Sequence, residues 1–400
     1  MIVFGRYICY YRDMRLISFS VSNYKSFLAE QTITFDSDSK VDILVGPNGS
    51  GKSNLLKAMH FYRKFIRTST TYKAKDTGYE PFLFNTEADS LPTEFKAEMQ
   101  TDKSVYYYAF SIQNGLIKGE TLKRKKVNSD DTYDTIFSRS SIDKKRYEDN
   151  GFSSQILKST RDDALILTKA WENNNKYALE VFTWLDHLKF IAGSQYAGLT
   201  AEKVKASRKF KAEVLTLLQK ADLYIQDLSV SEVEVPEALI NAFSDEVKAK
   251  VSKTSYDVTT THMVYDAKGN IVKASPLPLS SESTGTKRIF ELAFPILDSL
   301  ENGNTLCIDE FEVNLHPKEC TFLVGLFRSA SNKKGARLVI TTHNTQLLDQ
   351  VGRDSVHLVG KNAHEETILG QISKNVRTDD RLLEKKYNKG MFGANPNIRW

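Results

Sequence analysis

Residues 46–53 read GPNGSGKS, and their types and spacing suit the holding of a polyphosphate. In the pattern G-x-x-x-x-G-K-[ST], made here by Gly46, Gly51, Lys52 and Ser53, backbone N–H groups wrap phosphate oxygens, the lysine reaches the outer phosphates and the hydroxyl helps hold Mg2+. Pro47, Asn48, Gly49 and Ser50 complete the loop and Asn54 follows it, so residues 46–54 are the expected nucleotide contacts. Glycine is needed where the backbone must approach a phosphate with no side chain in between. Far downstream, NTLCIDEF ends an apolar run in Asp309 and Glu310. An aspartate there is expected to hold Mg2+ together with Ser53, and the neighbouring glutamate to polarise an attacking water. LVITTH sets His343 beyond another apolar run, where an imidazole can contact the terminal phosphate and sense its hydrolysis. SSESTGTKRIFEL puts Ser283 and Gly285 at the start of a helix expected to open near Thr286. The free N–H groups and dipole of that helix start favour an anion, although a plain N-cap explains S-x-G equally well.

These residues need a scaffold, and the flanking patterns supply one. LISFSV and QTITFD alternate as strands, VDILVG is a short buried strand, and KSNLLKAMHFYRKFIRT spaces its apolar residues as an amphipathic helix. Strand, glycine loop and helix is the context that the phosphate loop requires. Residues 92–122 alternate again and predict antiparallel strands beside the nucleotide core. Across 123–280, helical stretches such as ALEVFTWLDHLKFI and KFKAEVLTLLQKADLYI are separated by polar linkers such as NSDDTYDTIFSRSSIDKK. Past Ser280 the core pattern resumes, with KRIFELAFPILDSL and PKECTFLVGLFRSA as helices, TLCIDEF and ARLVITTH as strands, and DSVHLVGK with ETILGQIS as a closing pair. The expected organisation is a first part of the catalytic head over 1–122, an inserted helical lobe over 123–280 and the second part of the head over 281–400.

Composition narrows the class. The chain has 400 residues, 40% hydrophobic and 26% charged, with 55 Lys and Arg against 50 Asp and Glu, so no global affinity for polyanions follows. Cys9, Cys307 and Cys320 have no metal-ligand spacing, which argues for a reducing cytoplasm. No apolar run approaches the roughly 18 residues of a membrane span. Residues 1–13, which precede a second methionine at Met14, are either a poorly packed tail or a short extra edge strand. No N/T-K-x-D motif follows the loop, NNNK at 173–176 lacking the aspartate, so ATP is expected rather than GTP.

The order of phosphate loop, long insertion, S-x-G helix start, Asp-Glu strand and His strand is similar to the ATP-binding-cassette ATPases of SMC, RecF and related DNA-repair proteins. That resemblance implies an α/β head, a mixed sheet with a phosphate-loop core plus an antiparallel β subdomain, carrying a mostly helical insertion. It also implies that two heads sandwich two ATP molecules with Mg2+. Ser283 and Gly285 of one head would cap the phosphate held by residues 46–54 of the other. Lys52, Glu310 and His343 would be catalytic, Ser53 and Asp309 would hold the metal, and EVNLHP would join the heads. The signature departs from the LSGGQ form of transporters. More narrowly, NYKSF at 23–27, ESTGTKRIFEL, DEFEVNLHP and GMFGANPNI resemble the AbiL/RloA-type ATPases of abortive-infection operons, cousins of the overcoming-lysogenisation-defect nucleases, over 14–122 and 280–398.

The narrower resemblance implies a slow, regulatory ATPase in bacterial anti-phage defence. It would dimerise or form a larger assembly, control a separately encoded effector or toxin, and answer to a phage protein or DNA. The 57 residues after His343 are too few for the nuclease domain of the lysogenisation-defect relatives. The alternatives are a RecF- or SMC-like DNA-binding ATPase of repair or replication, and a scaffold that binds ATP structurally. Basic clusters at 123–126, 143–146, 203–211 and 381–389 are either solvated faces or nucleic-acid contacts. Tyr24 and Lys25 either approach the nucleotide or pack the first strands.

Overall fold

The computed structural model describes residues 14–127, 132–140, 148–149, 151–191, 196–221, 223–235, 254–372 and 382–393. Residues 1–13 with Cys9, the cluster at 143–146 and residues 394–398 of the terminal motif lie outside them. In chain order the strands are β1 (Arg15–Ser22), β2 (Gln31–Thr34), β3 (Val41–Val45), β4 (Thr93–Gln100), β5 (Ser104–Gln113), β6 (Leu116–Lys126), β7 (Asp134–Ser140), β8 (Glu148–Asp149), β9 (Leu188–Ile191), β10 (Asp227–Glu234), β11 (Thr254–Tyr265), β12 (Ile271–Pro278), β13 (Thr305–Ile308), β14 (Arg337–Thr342), β15 (Val356–Lys361) and β16 (Thr367–Gln371). The chain divides into two units: residues 1–190, 300–311 and 324–400 form the first, and 191–299 with 312–323 the second.

The first unit holds two sheets. The larger runs β2-β1-β4-β5-β6-β7-β8 with antiparallel neighbours; the other runs β16-β15-β3-β14-β13-β9, in which β15, β3, β14 and β13 pair in parallel. Every residue of β3, β13 and β14 is buried, as parallel strands covered on both faces must be. The helix Lys52–Thr68 begins straight after the phosphate loop and buries Leu55, Leu56, Ala58, Met59, Phe61, Tyr62, Phe65 and Ile66. Its rings meet those of the larger sheet: Tyr62 stacks on Phe110 with centroids 5.5 Å apart, and Phe61 lies 5.0 Å from Phe95. Leu44, Cys307 and Val339 of the second sheet join the same core, so the helix is anchored by both sheets. Burial also pushes the Cys307 thiol far up from its ordinary pKa. Asp42 in β3 and His357 in β15, both buried, are 3.0 Å apart and fix the register of the strand that feeds the loop.

Two sequence expectations are corrected here. ALEVFTWLDHLKFI is not one helix: the helix Lys176–Asp186 stops, and Leu188–Ile191 leaves it as β9 at the edge beside β13. The apolar residues of HLKFI continue a helical pattern, but Thr305 N donates to His187 O at 2.8 Å and draws that segment into the sheet. The polar stretch around 128–145 is not all linker either, since Asp134–Ser140 is β7, paired with β6 through Leu122 and Phe137. Residues 123–280, expected as the insertion, contain β7 to β12 and five helices among the described residues, and their first part, up to Phe190, belongs to the first unit.

The second unit carries a three-stranded antiparallel sheet, β10-β11-β12, the helices Tyr196–Ala206 and Arg208–Lys220, and most of the helix Thr284–Asn302. Pro295 lies inside that last helix and cannot donate to Glu291 O. Buried Thr200 stands in, its hydroxyl 3.5 Å from Glu291 O and accepting from Phe294 N at 3.3 Å. The helix is therefore not broken where its proline interrupts the ladder.

One buried charge ties the first unit together. Glu120 on β6 is 1% exposed, pairs with Arg139 at 3.0 Å, and accepts from Tyr108 Oη, Ile166 N and Leu167 N at 2.8–2.9 Å. The two amides open the helix Ile166–Glu172, so one carboxylate joins β5, β6, β7 and a helix start. Removing it strands a guanidinium, a phenol and two amides, and Glu120→Ala should destabilise the protein by about 3–5 kcal/mol in urea unfolding. A loss below about 1 kcal/mol would show that Glu120 is not the tie described.

Candidate functional site

The phosphate loop is shaped by its backing. A Cβ on Gly46 would fall 1.9 Å from Val359 O of β15, so that position admits glycine alone. Gly51 has φ +109°, and a Cβ there would fall 2.1 Å from Thr367 Oγ1. Thr367 is the buried prop of the loop. Its hydroxyl donates to Ser50 O at 2.9 Å and lies 2.7 Å from Ser26 Oγ, while Asn54 Nδ2 donates to Ser26 Oγ at 2.8 Å. Residues of NYKSF therefore brace the loop from behind. Tyr24 is buried with its ring 5.3 Å from that of Phe95, and the Lys25 ammonium pairs with Glu80. Burial pushes the Tyr24 phenol well above its ordinary range.

Inside the loop, Lys52 Nζ donates to Gly46 O at 2.7 Å and Pro47 O at 3.0 Å. Ser53 Oγ donates to Asp309 Oδ1 at 3.0 Å, joining the first turn of the helix to the end of β13 across 256 positions of sequence. A second hydroxyl completes the junction. Thr341 Oγ1, buried at the end of β14, donates to Asp309 Oδ1 at 2.6 Å and accepts from Glu310 N at 2.8 Å. Glu310 has φ +47°, a left-handed conformation costing a non-glycine residue about 1–2 kcal/mol. Phe311 N donates to Thr341 O at 3.0 Å, so amides on both sides of the Glu310 carbonyl are held by one threonine. A cavity of about 150 Å³ is lined by Asn48 to Asn54, Glu310, Thr341 and His343.

Thr341, Thr367 and Ser26 were not singled out from the sequence. Thr341 did leave a trace: a polar residue at the end of a wholly buried strand, in register next to the strand that ends in Asp309, as Ile308 pairs with Ile340. Ser283 and Gly285 lie in the second unit. The helix opens at Thr284, and Ser283 Oγ accepts from Thr286 N at 3.0 Å, an N-cap. A Cβ on Gly285 would stand 3.4 Å from Asn314 O and 3.5 Å from the Glu319 carboxylate, ordinary contact distances. Nothing in the surroundings of Gly285 in this unit demands a glycine.

These residues fit a nucleotide with Mg2+. The 3.0 Å between Ser53 Oγ and Asp309 Oδ1 is close to the spacing of adjacent oxygens around an octahedral cation with bonds of about 2.1 Å. Ser50 Oγ is buried without a hydrogen-bond partner, the kind of atom that a phosphate oxygen would satisfy. Among the described residues no group of three or more His, Cys, Asp or Glu side chains could hold a metal. A cation at Ser53 and Asp309 would complete its shell with phosphate and water, as Mg2+ does in phosphoryl-transfer sites.

Residues 43–349 match the model of a family described as "AAA domain, putative AbiEii toxin, Type IV TA system". The chain belongs to this AAA family. The AAA core therefore takes in the phosphate loop, Asp309, Glu310 and His343 together. Membership in an AAA family implies nucleotide binding with Mg2+. Similar solved structures are the SMC head domain from Thermotoga maritima, 15% identical with 90% of this chain and 99% of that one covered at a TM-score of 0.39, and an SMC head bound to the C-winged helix domain of ScpA, 12% identical with 91% and 99% covered at 0.40. No match is found among curated proteins. No helix among the described residues of this AAA protein is long and apolar enough to cross a membrane.

Thr341 provides a direct check of the geometry. Thr341→Val removes both hydrogen bonds at Asp309 and Glu310 while keeping the side-chain volume. It should lower ATP turnover about 10²-fold, the usual cost of misplacing a reacting group by about 1 Å. Nucleotide affinity, measured by equilibrium dialysis, should change less than about threefold. Turnover equal to the wild type would remove Thr341 from the site.

Proposed function

We propose that the chain is an ATP-driven switch in which two copies close around ATP and Mg2+, and that the closed form controls a separately encoded effector in a bacterial anti-phage abortive-infection system. The observation that supports this best is the cavity of about 150 Å³, whose lining brings the loop together with Glu310, Thr341 and His343. Ligand sites usually enclose roughly 300–1,000 Å³, so these walls suit the phosphate end of a nucleotide and leave the remainder to a second surface. Gly285 supports the same view, because a methyl group is tolerated by its neighbours here and the glycine is then explained by a second molecule's approach.

In this scheme Lys52 exchanges Gly46 O and Pro47 O for phosphate oxygens, and the N–H groups of residues 48–53 wrap the phosphates. Ser53 and Asp309 would hold Mg2+, which when bound would neutralise charge on the outer phosphates. Glu310 accepts a proton from, and orients, the attacking water. His343 contacts the terminal phosphate, and Ser283 with Gly285 of the second copy caps it. Turnover is slow because it resets the switch. The family description, which names a putative toxin and a Type IV TA system, supports placing the chain in a toxin–antitoxin setting.

A RecF- or SMC-like role on DNA is favoured by strand β6, where Lys123 and Lys125 lie 5.9 Å and 4.7 Å from the ring centres of Tyr107 and Tyr133. Lys96 on β4, on the far side of β5 from β6, is instead spent on Glu30 and Glu94. Filter binding of duplex DNA that is tight and ATP-dependent would select that role over effector control.

Glu310→Gln should bind ATP as tightly as the wild type, lose turnover at least about 10²-fold, and double in mass on ATP addition in light scattering. Rapid hydrolysis by this variant would overturn the role of Glu310. Lys52→Ala should lose nucleotide binding and, in cells carrying the whole operon, protection in a plaque assay. Full protection would separate the defence role from ATP.

A further inference from the structure

Glu282 stands immediately before Ser283 and turns its carboxylate towards β11. Thr260 Oγ1 donates to Glu282 Oε1 at 2.5 Å, and His262 Nε2 donates to the same oxygen at 2.7 Å. Thr260 is fully buried, and the Glu282 side chain is 9% exposed. A hydroxyl has one proton, and Thr260 has a second acceptor, Leu277 O, at 2.9 Å. The hydroxyl donates to the carboxylate at the shorter of the two distances, as charge-assisted hydrogen bonds are the shorter and stronger ones. The loop is held from its other end as well: Glu282 N donates to Leu279 O at 3.1 Å, Lys287 Nζ to Ser280 O at 2.6 Å, and Lys287 N to Ser283 O at 3.1 Å.

A carboxylate beside a helix start is favoured by the dipole, which draws it towards the free N–H groups. The start of the helix at Thr284 offers N–H groups to an anion, and a free Glu282 would compete with a phosphate for them and repel it. Thr260 and His262 turn the charge away. Strand β11 thus contacts this segment through the Glu282 side chain, across 20 and 22 positions of sequence, while β12 leads into it directly at Pro278.

We propose that Glu282 is a positioning residue that clasps the helix start at Ser283–Gly285 to β11, so that the β10–β12 sheet sets whether that start can be presented to the nucleotide of a second copy. The functional half of this rests on the two-copy scheme above. Any event that shifts β11 by the length of a hydrogen bond releases the Glu282 side chain and leaves the segment to its local bonds at Leu279 O, Ser280 O and Ser283 O.

Glu282→Ala is a clean probe, because Thr260 retains Leu277 O as acceptor and the His262 side chain, 31% exposed, is open to solvent. Gln at 282 keeps the accepting oxygen and serves as the rescue variant. In hydrogen–deuterium exchange of the full chain, amides of 279–287 should exchange at least about tenfold faster in Glu282→Ala and Thr260→Val, and as in the wild type in Glu282→Gln, with 46–56 unchanged in all three. ATP-dependent self-association should weaken about tenfold in the first two variants only, while ATP binding stays level. Unchanged exchange over 279–287 in Glu282→Ala overturns the clasp, and faster exchange with unchanged association overturns control by the sheet. If the wild type itself does not associate with ATP, the two-copy scheme falls, and the exchange result still decides the clasp.

Discussion

The hydrogen bond from Ser53 to Asp309 is the constraint on which the site depends. A hydroxyl in the first turn of a helix and a carboxylate at the end of a strand, 256 positions later, must meet to within 3 Å before either can share a cation. That meeting requires β3, β14 and β13 to lie side by side in register, and the pairings Ile43 with Ile340 and Ile340 with Ile308 provide it. It also requires the helix Lys52–Thr68 to hold its axis. The aromatic core from Phe19 to Phe110 and the carboxylate of Glu120 are distant from the phosphate loop in sequence, yet they keep that helix and its sheets in place.

Left-handed backbone conformations occur within the expected site. Gly51 at φ +109° and Glu310 at φ +47° are both left-handed, and each is held by a threonine, Thr367 in one case and Thr341 in the other. A non-glycine residue held in this conformation by its neighbours is pre-organised, since its orientation does not have to be found during the reaction. Lys52 is the group that must move, because its ammonium is satisfied by carbonyls of its own loop.

Much of the core was legible in the sequence. VDILV, TLCI and RLVITT are short apolar runs whose ends carry the motif residues, and a wholly buried parallel strand has that pattern. The helix after the loop was legible from its apolar spacing. HLKFI was not, because four residues at the end of an amphipathic helix continue its periodicity and only pairing beside β13 makes them a strand. DTIFSRS is polar at five of its seven positions and became a strand by pairing with β6. Thr341, Thr367 and Glu282 share a different reason: each acts through a hydrogen bond to a residue at least 20 positions away, and composition and periodicity are blind to such bonds.

The central claim is that residues 46–54 of one copy and Ser283 with Gly285 of another form one site. Mixing two inactive variants tests it most directly, Lys52→Ala with an intact signature and Ser283→Arg with an intact phosphate loop. In a sandwich of two copies, a mixed dimer contains one site whose loop and signature are both wild type, so ATP turnover should reappear on mixing and peak near equimolar ratio. If the signature served the loop of its own chain, neither variant could repair the other, and turnover that stays at the level of the separate variants would contradict the account.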